Sequence, residues 1–317
     1  MPLPPAPRRL GAPSVFMSSL SLRPLGFAGA GVAQALSVAT PWNGQPLWWL
    51  QLISLAALVW QLDALRSAGA GWRAGALHGW LFATAWLGTT FWWLFISMHT
   101  YGGLPAPLAA LAVLALAAGL ALYYAVACAC FMAFAPVSWA GRALFFVALW
   151  TLAELVRGSW FTGFPWGAGG YAHVDGPLSM FARWLGVYGV GAVAVLAAMA
   201  IAQCLRLDYR RHQAAWLAPV GAALCLAAAA AGSHCAVNLC GRAPAPDALS
   251  AGRLQVALLQ GNIPQDEKFV PGGGIATALG WYGEQLQGAT ASLVVTPETA
   301  LPLLPAQLPP GYLEAIA

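Results

Sequence analysis

The sequence predicts a membrane α-helical bundle of about seven spans, followed by the first strand, helix and strand of an α/β domain. Three observations lead to this prediction. Of the 317 residues, 60% are hydrophobic and only 8% are charged, whereas soluble domains average about 25% charged residues. Long apolar runs recur between residues 24 and 232, and the chain beyond Arg242 has the composition of a soluble protein. We therefore expect an N-terminal segment at 1–23, the bundle at 24–240 and the start of a domain at 241–317.

Each predicted span approaches the roughly 20 apolar residues that a helix needs to cross about 30 Å of hydrocarbon. The spans are Pro24–Thr40, Leu47–Leu62, Leu77–Ser97, Leu108–Ala135, Ala143–Arg157, Leu185–Leu205 and Ala214–Gly232. The first two spans are short, and the hexapeptide 41–46 that joins them contains two prolines and a glycine. Such a composition indicates a tight turn. We therefore expect a helical hairpin at the start of the bundle.

The distribution of arginine predicts the orientation of the bundle, because cytoplasmic loops of membrane proteins are enriched in Arg and Lys. If the N-terminus is cytoplasmic, nine arginines fall in cytoplasmic segments: Arg8, Arg9, Arg23, Arg66, Arg73, Arg142, Arg206, Arg210 and Arg211. Only Arg157 and Arg183 then fall in the opposite loops of the bundle. After seven spans, the residues beyond 240 emerge on the outer face, which in a bacterium is the periplasm.

The connection between the fifth and sixth spans is aromatic and Gly-rich, whereas a simple connector would be polar. It contains Trp166, one of several aromatic residues at the predicted outer ends of the spans. Anchoring in the headgroup layer explains most of these aromatic residues. A site that handles lipid from the outer leaflet is the alternative, because it would have the same aromatic composition. We expect the loop to fold back against the bundle.

Glu154 and Arg157 lie three residues apart on the helix that enters this loop, which allows them to form an ion pair. Ionisable residues at membrane depth are functional candidates, and a structural ion pair at a helix end is the alternative. Both interpretations of Glu154 remain open at this point.

The residues after 253 have the pattern of a βαβ unit. Leu254–Gln260 and Ser292–Thr296 have the apolar composition of strands, which we expect to be buried. Between them, apolar residues repeat on one helical face at Ile275, Leu279, Tyr282 and Leu286. A strand, a helix and a second strand imply parallel pairing with a right-handed crossover.

Glu298 follows the second predicted strand, after Pro297. The carboxyl ends of parallel strands are the positions where α/β folds place their chemistry. Glu298 is therefore a candidate general base, and a loop or capping carboxylate is the alternative.

Several motifs, in this order along the chain, resemble those of the apolipoprotein N-acyltransferase family. They are Tyr101–Pro105, Arg157–Gly158, Thr162–Trp166, Asp175–Leu178, Gln260–Gln265 with Lys268, and Thr296–Pro302. The resemblance covers nearly all of residues 24–317. Each motif alone is weak, and their common order makes the resemblance specific.

The resemblance implies a bacterial inner-membrane enzyme whose periplasmic part is a nitrilase-like αββα sandwich with a Glu-Lys-Cys triad. The Cys of such a triad takes an acyl chain from a membrane phospholipid as a thioester. It then passes the chain to the N-terminal diacylglyceryl-cysteine of an apolipoprotein, without a cofactor or metal. Glu298 matches the catalytic base, and the residues at 265–269 match a segment at the mouth of the active site. We therefore predict Glu298 as catalytic and, as substrate-binding residues, Gln265, Lys268, Phe269, Trp166 and Glu154.

The chain departs from this family pattern near its end. The family's triad Lys and Cys lie well beyond the position of Ala317, and the only lysine here, Lys268, belongs to the mouth segment. Four of the six cysteines lie in predicted spans, and Cys235 and Cys240 precede the first strand. We therefore expect the front part of a longer protein, which does not form an acyl-enzyme by itself.

Two other functions are compatible with parts of the sequence. A transporter-type helical bundle would carry ionisable residues in mid-span, whereas nearly all charges here lie at span ends or in loops. A membrane-anchored nitrilase-like amidase would not need so many spans. Nucleic-acid binding is not expected, because the basic residues behind the net charge of +4 are spread along the chain and form no stripe.

Overall fold

The chain divides into two compact units, Met1–Leu239 and Cys240–Ala317. A computed structural model describes residues 15–206, 254–270 and 272–316 of these units. The predicted span Ala214–Gly232, together with Cys235 and Cys240, lies outside the described residues.

The first unit is helical throughout. Its helices are α1 (Val15–Val38), α2 (Trp48–Ser67), α3 (Trp72–Thr90), α4 (Trp92–Ile96), α5 (Ala106–Phe134), α6 (Trp139–Ser159) and α7 (Ala182–Arg206). A π-helical turn at Ser97–Tyr101 extends α4, and short 3-10 turns interrupt the connection between α6 and α7. Because these helices are apolar on most faces, they are stable only when packed in a bundle or surrounded by lipid.

Four of the described helices are long and apolar enough to cross a membrane: α2, α5, α6 extended to Thr162, and α7 extended back to Ser179. A fifth candidate combines α3 with the segment Trp92–Tyr101, and the two parts are bent by 53°. The bend lies at Phe91, where ψ is 15° and the helical backbone is broken. Helix α1 occupies the first predicted span but is not among these candidates. The described residues therefore carry four or five candidate spans, and the total of seven stays a prediction.

The turn between α1 and α2 confirms the predicted hairpin. The amide of Gly44 donates to the carbonyl of Thr40 at 2.8 Å, and that of Leu47 donates to the carbonyl of Ser37 at 2.8 Å. Gly44 has a φ of 69°, which glycine adopts without the steric cost that a side chain would add.

Aromatic side chains form the centre of the bundle. The rings of Trp86 and Trp150 stack with centroids 6.0 Å apart, and Tyr124 packs against Trp150 at 4.9 Å. All three are almost fully buried. This cluster joins α3, α5 and α6 directly beneath the loop that follows α6, so it gives that loop a rigid base.

The second unit contains β1 (Val256–Leu258), α8 (Gly274–Gln287), β2 (Leu293–Val295) and a short α9 (Tyr312–Ile316). The predicted strand, helix and strand are therefore present. The two strands pair in parallel, with Val256 opposite Leu293 and Leu258 opposite Val295. One face of α8 buries Ala278 and Tyr282 against Ala300, which forms a small separate core.

The expectation that the strands are buried is wrong for the residues that the structure describes. Leu258 is 77% exposed, and Leu293 and Val295 are 44% and 42% exposed. Parallel sheets are normally covered on both faces. Within residues 254–270 and 272–316, this sheet has only two short strands, and α8 is the one long helix beside it. Because one helix can cover only one face of a sheet, the other face stays exposed there.

Candidate functional site

A pocket of about 400 Å³ lies at the carboxyl ends of β1 and β2. One wall is formed by Gln260, Asn262 and Ile263 after β1, and the opposite wall by Thr296, Pro297, Thr299 and Ala300 after β2. The hydroxyl of Tyr282 accepts a hydrogen bond from the amide of Gly261 at 3.1 Å. Helix α8 therefore fixes the strand end that borders the pocket.

Both walls contain a residue with left-handed backbone conformation. Asn262 has a φ of 49°, and Thr299 has a φ of 57°. Positive φ is uncommon for Asn and is a real outlier for a β-branched residue such as Thr. Strain of this kind costs about 1–3 kcal/mol and is concentrated at functional sites. Its presence on both sides of one pocket marks this edge of the sheet as the candidate site of the second unit.

Glu298 lies beside this pocket, and its carboxylate is exposed. Its backbone carbonyl accepts a hydrogen bond from Nζ of Lys268 at 3.2 Å. Its carboxylate has no hydrogen-bond or ion-pair partner in the described part of the chain. Lys268 therefore ties the mouth segment to the end of β2 and at the same time lines the pocket.

The other two predicted residues of the mouth segment do not reach this pocket. Gln265 is exposed, and Phe269 is 55% exposed. Neither belongs to the pocket lining. The structure thus brings together Lys268 and the backbone of Glu298, and leaves Gln265 and Phe269 on the surface. Within the described ranges, no group of three or more His, Cys, Asp or Glu side chains is placed to hold a metal ion.

In the first unit, Arg157 is buried and organises the loop after α6. Its Nε donates to the hydroxyl of Tyr124 at 3.0 Å. Its Nη1 donates to the carbonyls of Phe164 at 2.6 Å and Trp166 at 2.9 Å. The guanidinium also lies 5.8 Å from the ring centroid of Trp86, a favourable cation–π distance.

Glu154 holds the returning part of the same loop. Its Oε1 accepts a hydrogen bond from the amide of Gly169 at 2.9 Å. The carbonyl of Gly169 accepts in turn from Nε2 of Gln51 on α2, at 2.7 Å. Both backbone polar groups of Gly169 are therefore satisfied by buried side chains, as buried backbone requires.

The ion pair that the spacing of Glu154 and Arg157 allows is not formed in the structure. The salt bridges of the described residues all involve Asp63. The i, i+3 spacing permits a pair, but each side chain has better-aligned partners in the loop. Arg157 reaches carbonyls where the loop leaves α6, and Glu154 reaches an amide where the loop returns.

The aromatic side chains of the loop pack on the bend between α3 and α4. Trp166 meets Trp93 edge-on at 5.8 Å and Phe164 at 5.0 Å, and Phe164 packs on Phe91 at 5.0 Å. Trp166 remains 56% exposed. The prediction that this loop folds back against the bundle is confirmed. Its position relative to the membrane surface stays a prediction.

Sequence reasoning missed Tyr124, which accepts from Arg157, and Gln51, which donates to the loop carbonyl of Gly169. It also missed the buried Gln34 and His173, whose side chains form no hydrogen bond with the described residues. A signal for two of them is present in the chain, because Gln34 and Gln51 are isolated polar residues within apolar runs. Such residues in membrane helices usually face other helices.

The chain thus combines a multi-pass helical unit with a small parallel sheet that carries a pocket at its strand ends. Residues 30–200 match the protein family described as Apolipoprotein N-acyltransferase N-terminal domain. The chain belongs to this family.

Relatives agree with that match. The chain is 59% identical over 288 residues to the Apolipoprotein N-acyltransferase of Verminephrobacter eiseniae, which covers 91% of this chain and 53% of the relative. It is 42% identical to the Apolipoprotein N-acyltransferase of Ralstonia nicotianae, over 83% of this chain and 47% of that protein. It is 37% identical to the Putative apolipoprotein N-acyltransferase of Bordetella parapertussis, over 92% and 55%. The chain spans about half the length of these curated relatives.

Proposed function

We propose that this chain forms part of an enzyme that moves an acyl chain from a membrane phospholipid to the N-terminus of an apolipoprotein. The match of residues 30–200 to the acyltransferase family carries this proposal. It also favours acyl transfer over a transporter or an anchored amidase, because the named relatives over most of the chain are acyltransferases.

The proposed chemistry is covalent catalysis by a Cys thiolate. The thiolate attacks an ester carbonyl of the phospholipid, the ester C–O bond breaks, and a lysophospholipid leaves. The free α-amino group of the diacylglyceryl-cysteine then attacks the resulting thioester, an amide forms, and the thiol is released. A general base takes the proton of the thiol and gives it to the departing lysophospholipid oxygen. It later takes the proton of the amine and returns it to the departing thiolate.

We assign this base to Glu298. Its position directly after β2, beside a pocket with strained walls, supports the assignment. Lys268 fixes the backbone at Glu298. No described residue pairs with the carboxylate, which leaves it available to a substrate or a nucleophile in this proposal. In this proposal the strand–helix–strand is the start of a nitrilase-like αββα sandwich, and Gln265 and Phe269 border its mouth.

The helical unit is proposed to supply the lipid-facing side of the reaction. We propose that exposed Trp166 contacts headgroups or acyl chains, because aromatic rings favour the membrane interface. Glu154 is almost completely buried and bonded to the loop backbone. We therefore assign Glu154 to loop support instead of direct substrate contact, which revises its predicted role.

The proposed location is the bacterial inner membrane, with seven spans, a cytoplasmic N-terminus and a periplasmic second unit. The two ends of the bundle support this orientation. Arg66, Arg142 and Arg206 lie near one another at one end, as cytoplasmic residues would. Trp93 and Trp166 meet at the opposite end.

The test uses a full-length gene product that contains this segment, incubated with a phospholipid labelled in its acyl chains. Glu298→Gln should lower formation of the thiol-sensitive acyl-enzyme at least about 100-fold, within the range of general-base contributions. Glu284→Gln, which removes an exposed carboxylate from α8, should react like the wild type. Acyl-enzyme formation at the wild-type rate by Glu298→Gln would refute the assignment.

A further inference from the structure

Three helix ends meet around Asp63 at the end of the bundle opposite the aromatic loop. Nη1 of Arg142, in the first turns of α6, lies 4.0 Å from Oδ1 of Asp63. Nη1 of Arg206, the last residue of α7, lies 3.7 Å from Oδ2. Arg66, in the last turn of α2, donates from Nη2 to the carbonyl of Ala135 at 2.8 Å. We call Asp63, Arg66, Arg142 and Arg206 the arginine cluster.

The arginine cluster carries more positive than negative charge. Three guanidinium groups stand against the single carboxylate of Asp63, so two positive charges are uncompensated within the part of the chain that the structure describes. The side chain of Asp63 is only 8% exposed, whereas those of Arg142 and Arg206 are 24% and 25% exposed. The carboxylate therefore lies inside, and the side chains of Arg142 and Arg206 are partly exposed. Nη2 of Arg206 also donates to the carbonyl of Trp60 at 2.8 Å.

Several buried N–H donors of this region have no partner among the described residues. They include Nη1 of Arg66, Nε of Arg206 and Nε1 of Trp139, the first residue of α6. A buried donor without an acceptor costs about 1–3 kcal/mol, and more when it is charged. Oδ1 of Asp63 is a buried acceptor that also has no hydrogen-bond partner among the described residues. The N-terminus of α6, which follows the cap Ser138, contributes the positive end of a helix, and the C-termini of α2 and α7 contribute negative ends. Because three guanidinium groups stand against one carboxylate, the site favours an additional anion.

The position of the arginine cluster in the bundle indicates which kind of anion it binds. The arginines stand at the ends of α2, α6 and α7, which are candidate membrane spans, and span ends lie at the headgroup layer. Guanidinium groups match phosphate oxygens in geometry and charge. We propose that the arginine cluster binds the phosphate of an anionic phospholipid, which holds α2, α6 and α7 together at this end of the bundle.

This lipid is distinct from the proposed acyl donor. Arg142 and Arg157 are separated by about 15 residues of α6, or roughly 22 Å along its axis. The cluster therefore faces one headgroup layer and the aromatic loop faces the other. The proposal rests on the contacts of the cluster and does not depend on acyl transfer, so the binding test below measures no enzymatic activity.

The test is native mass spectrometry of the purified chain with equal amounts of dioleoylphosphatidylglycerol and dioleoylphosphatidylcholine. These lipids share their acyl chains and differ in headgroup charge. Arg206→Gln and Arg142→Gln should each lower the ratio of bound anionic to neutral lipid about fivefold. Arg183→Gln is the matched control, because it removes one charge at the other end of α7, where Arg183 packs on Trp184. It should leave the ratio unchanged.

Asp63→Asn should change the ratio of bound anionic to neutral lipid in the opposite direction. Without the carboxylate, Arg142 and Arg206 are free for the phosphate, and the ratio should rise severalfold. Because this variant gains binding, it also separates a lost site from a misfolded protein. Retention of the wild-type ratio by both Arg142→Gln and Arg206→Gln would overturn the proposal, and so would an equal loss in Arg183→Gln.

A competition experiment distinguishes binding of a lipid from binding of free phosphate. Excess sodium phosphate should not displace dioleoylphosphatidylglycerol, because a bilayer lipid also contacts the helices with its chains. If inorganic phosphate displaces the lipid and raises the Tm of the protein in neutral lipid alone, the site is one for a soluble anion and the lipid proposal is refuted.

Discussion

Glu154 and Arg157 lie one helical turn apart on α6 and bind opposite ends of one loop instead of each other. Arg157 donates to the carbonyls of Phe164 and Trp166, and Glu154 accepts from the amide of Gly169. The loop is thereby fixed at its exit and at its return. Substitutions of Arg157 should therefore affect the exit of the loop, and substitutions of Glu154 should affect its return.

Arg157→Lys should loosen the exit of the loop. Lysine keeps the charge but lacks the planar fork that contacts Tyr124 and two carbonyls at once. We expect amide hydrogen exchange at residues 163–169 to rise at least about tenfold, consistent with about 1.5–3 kcal/mol for a hydrogen bond to a charged group. Exchange should be measured by mass spectrometry on the detergent-purified chain. Arg183→Lys should exchange like the wild type, and unchanged exchange in Arg157→Lys would refute the role of the fork.

Glu154→Gln should leave the return of the loop nearly intact, because an amide oxygen can accept the same hydrogen bond from Gly169. Glu154→Leu should expose the amides of residues 168–173 to exchange, because the buried peptide of Gly169 then loses an acceptor. The comparison uses the same exchange measurement and the Tm of each variant. Equal damage by both substitutions would show that the charge of Glu154, and not its acceptor oxygen, supports the loop.

Gly170→Ala should lower stability strongly. A Cβ on Gly170 would overlap the backbone carbonyl of Val187 on α7, and backbone cannot give way as a side chain can. Overpacking of this kind costs typically about 1–3 kcal/mol. Gly119→Ala on α5 is the control, since a Cβ there meets nothing within 4 Å and alanine favours helix. The Tm should fall for Gly170→Ala and hold or rise for Gly119→Ala.

His173 should make the bundle acid-sensitive. Burial of its ring lowers the pKa of His173 to about 4, from the usual 6.5. Between these values the unfolded chain binds the proton and the folded chain does not, so stability is complete above pH 6.5 and falls as the pH drops toward 4. The loss approaches about 1.4 kcal/mol per pH unit.

The measurement for His173 is the Tm of the chain in detergent across this pH range. His173→Asn, which has a similar polar shape and no titration, should show a flatter pH dependence than the wild type. A parallel decline in both proteins would assign the acid sensitivity to other groups.

Local chemistry explains the parts of the fold that the sequence predicts well. The turn at Gly44 depends on residues within ten positions of one another, and the strand–helix–strand follows from periodicity and from breakers such as Pro297. Family motifs pointed to Glu298 as well, and the structure adds the pocket beside it. These features need little information from distant parts of the chain.

The missed features depend on distant contacts. A spacing of three allows Glu154 and Arg157 to pair, but the choice of partners was decided by loop carbonyls and by Gln51, which lies more than 100 positions away. The exposure of Leu293 was also missed, because the apolar composition of a strand does not reveal what covers it. Both the hydrogen-bond partners of Glu154 and Arg157 and the exposure of Leu293 depend on tertiary contacts, which residue types alone do not reveal.

The open sheet of the second unit has a practical consequence at the bench. Leu258, Leu293 and Val295 present apolar side chains on a sheet whose outer edges pair with no other strand among the described residues, and such edges recruit further strands. A preparation of the 317-residue chain should therefore form concentration-dependent aggregates in a detergent that keeps the helices dispersed. Light scattering of Leu258→Lys, which adds a repelling charge to that edge, should show smaller particles at the same concentration.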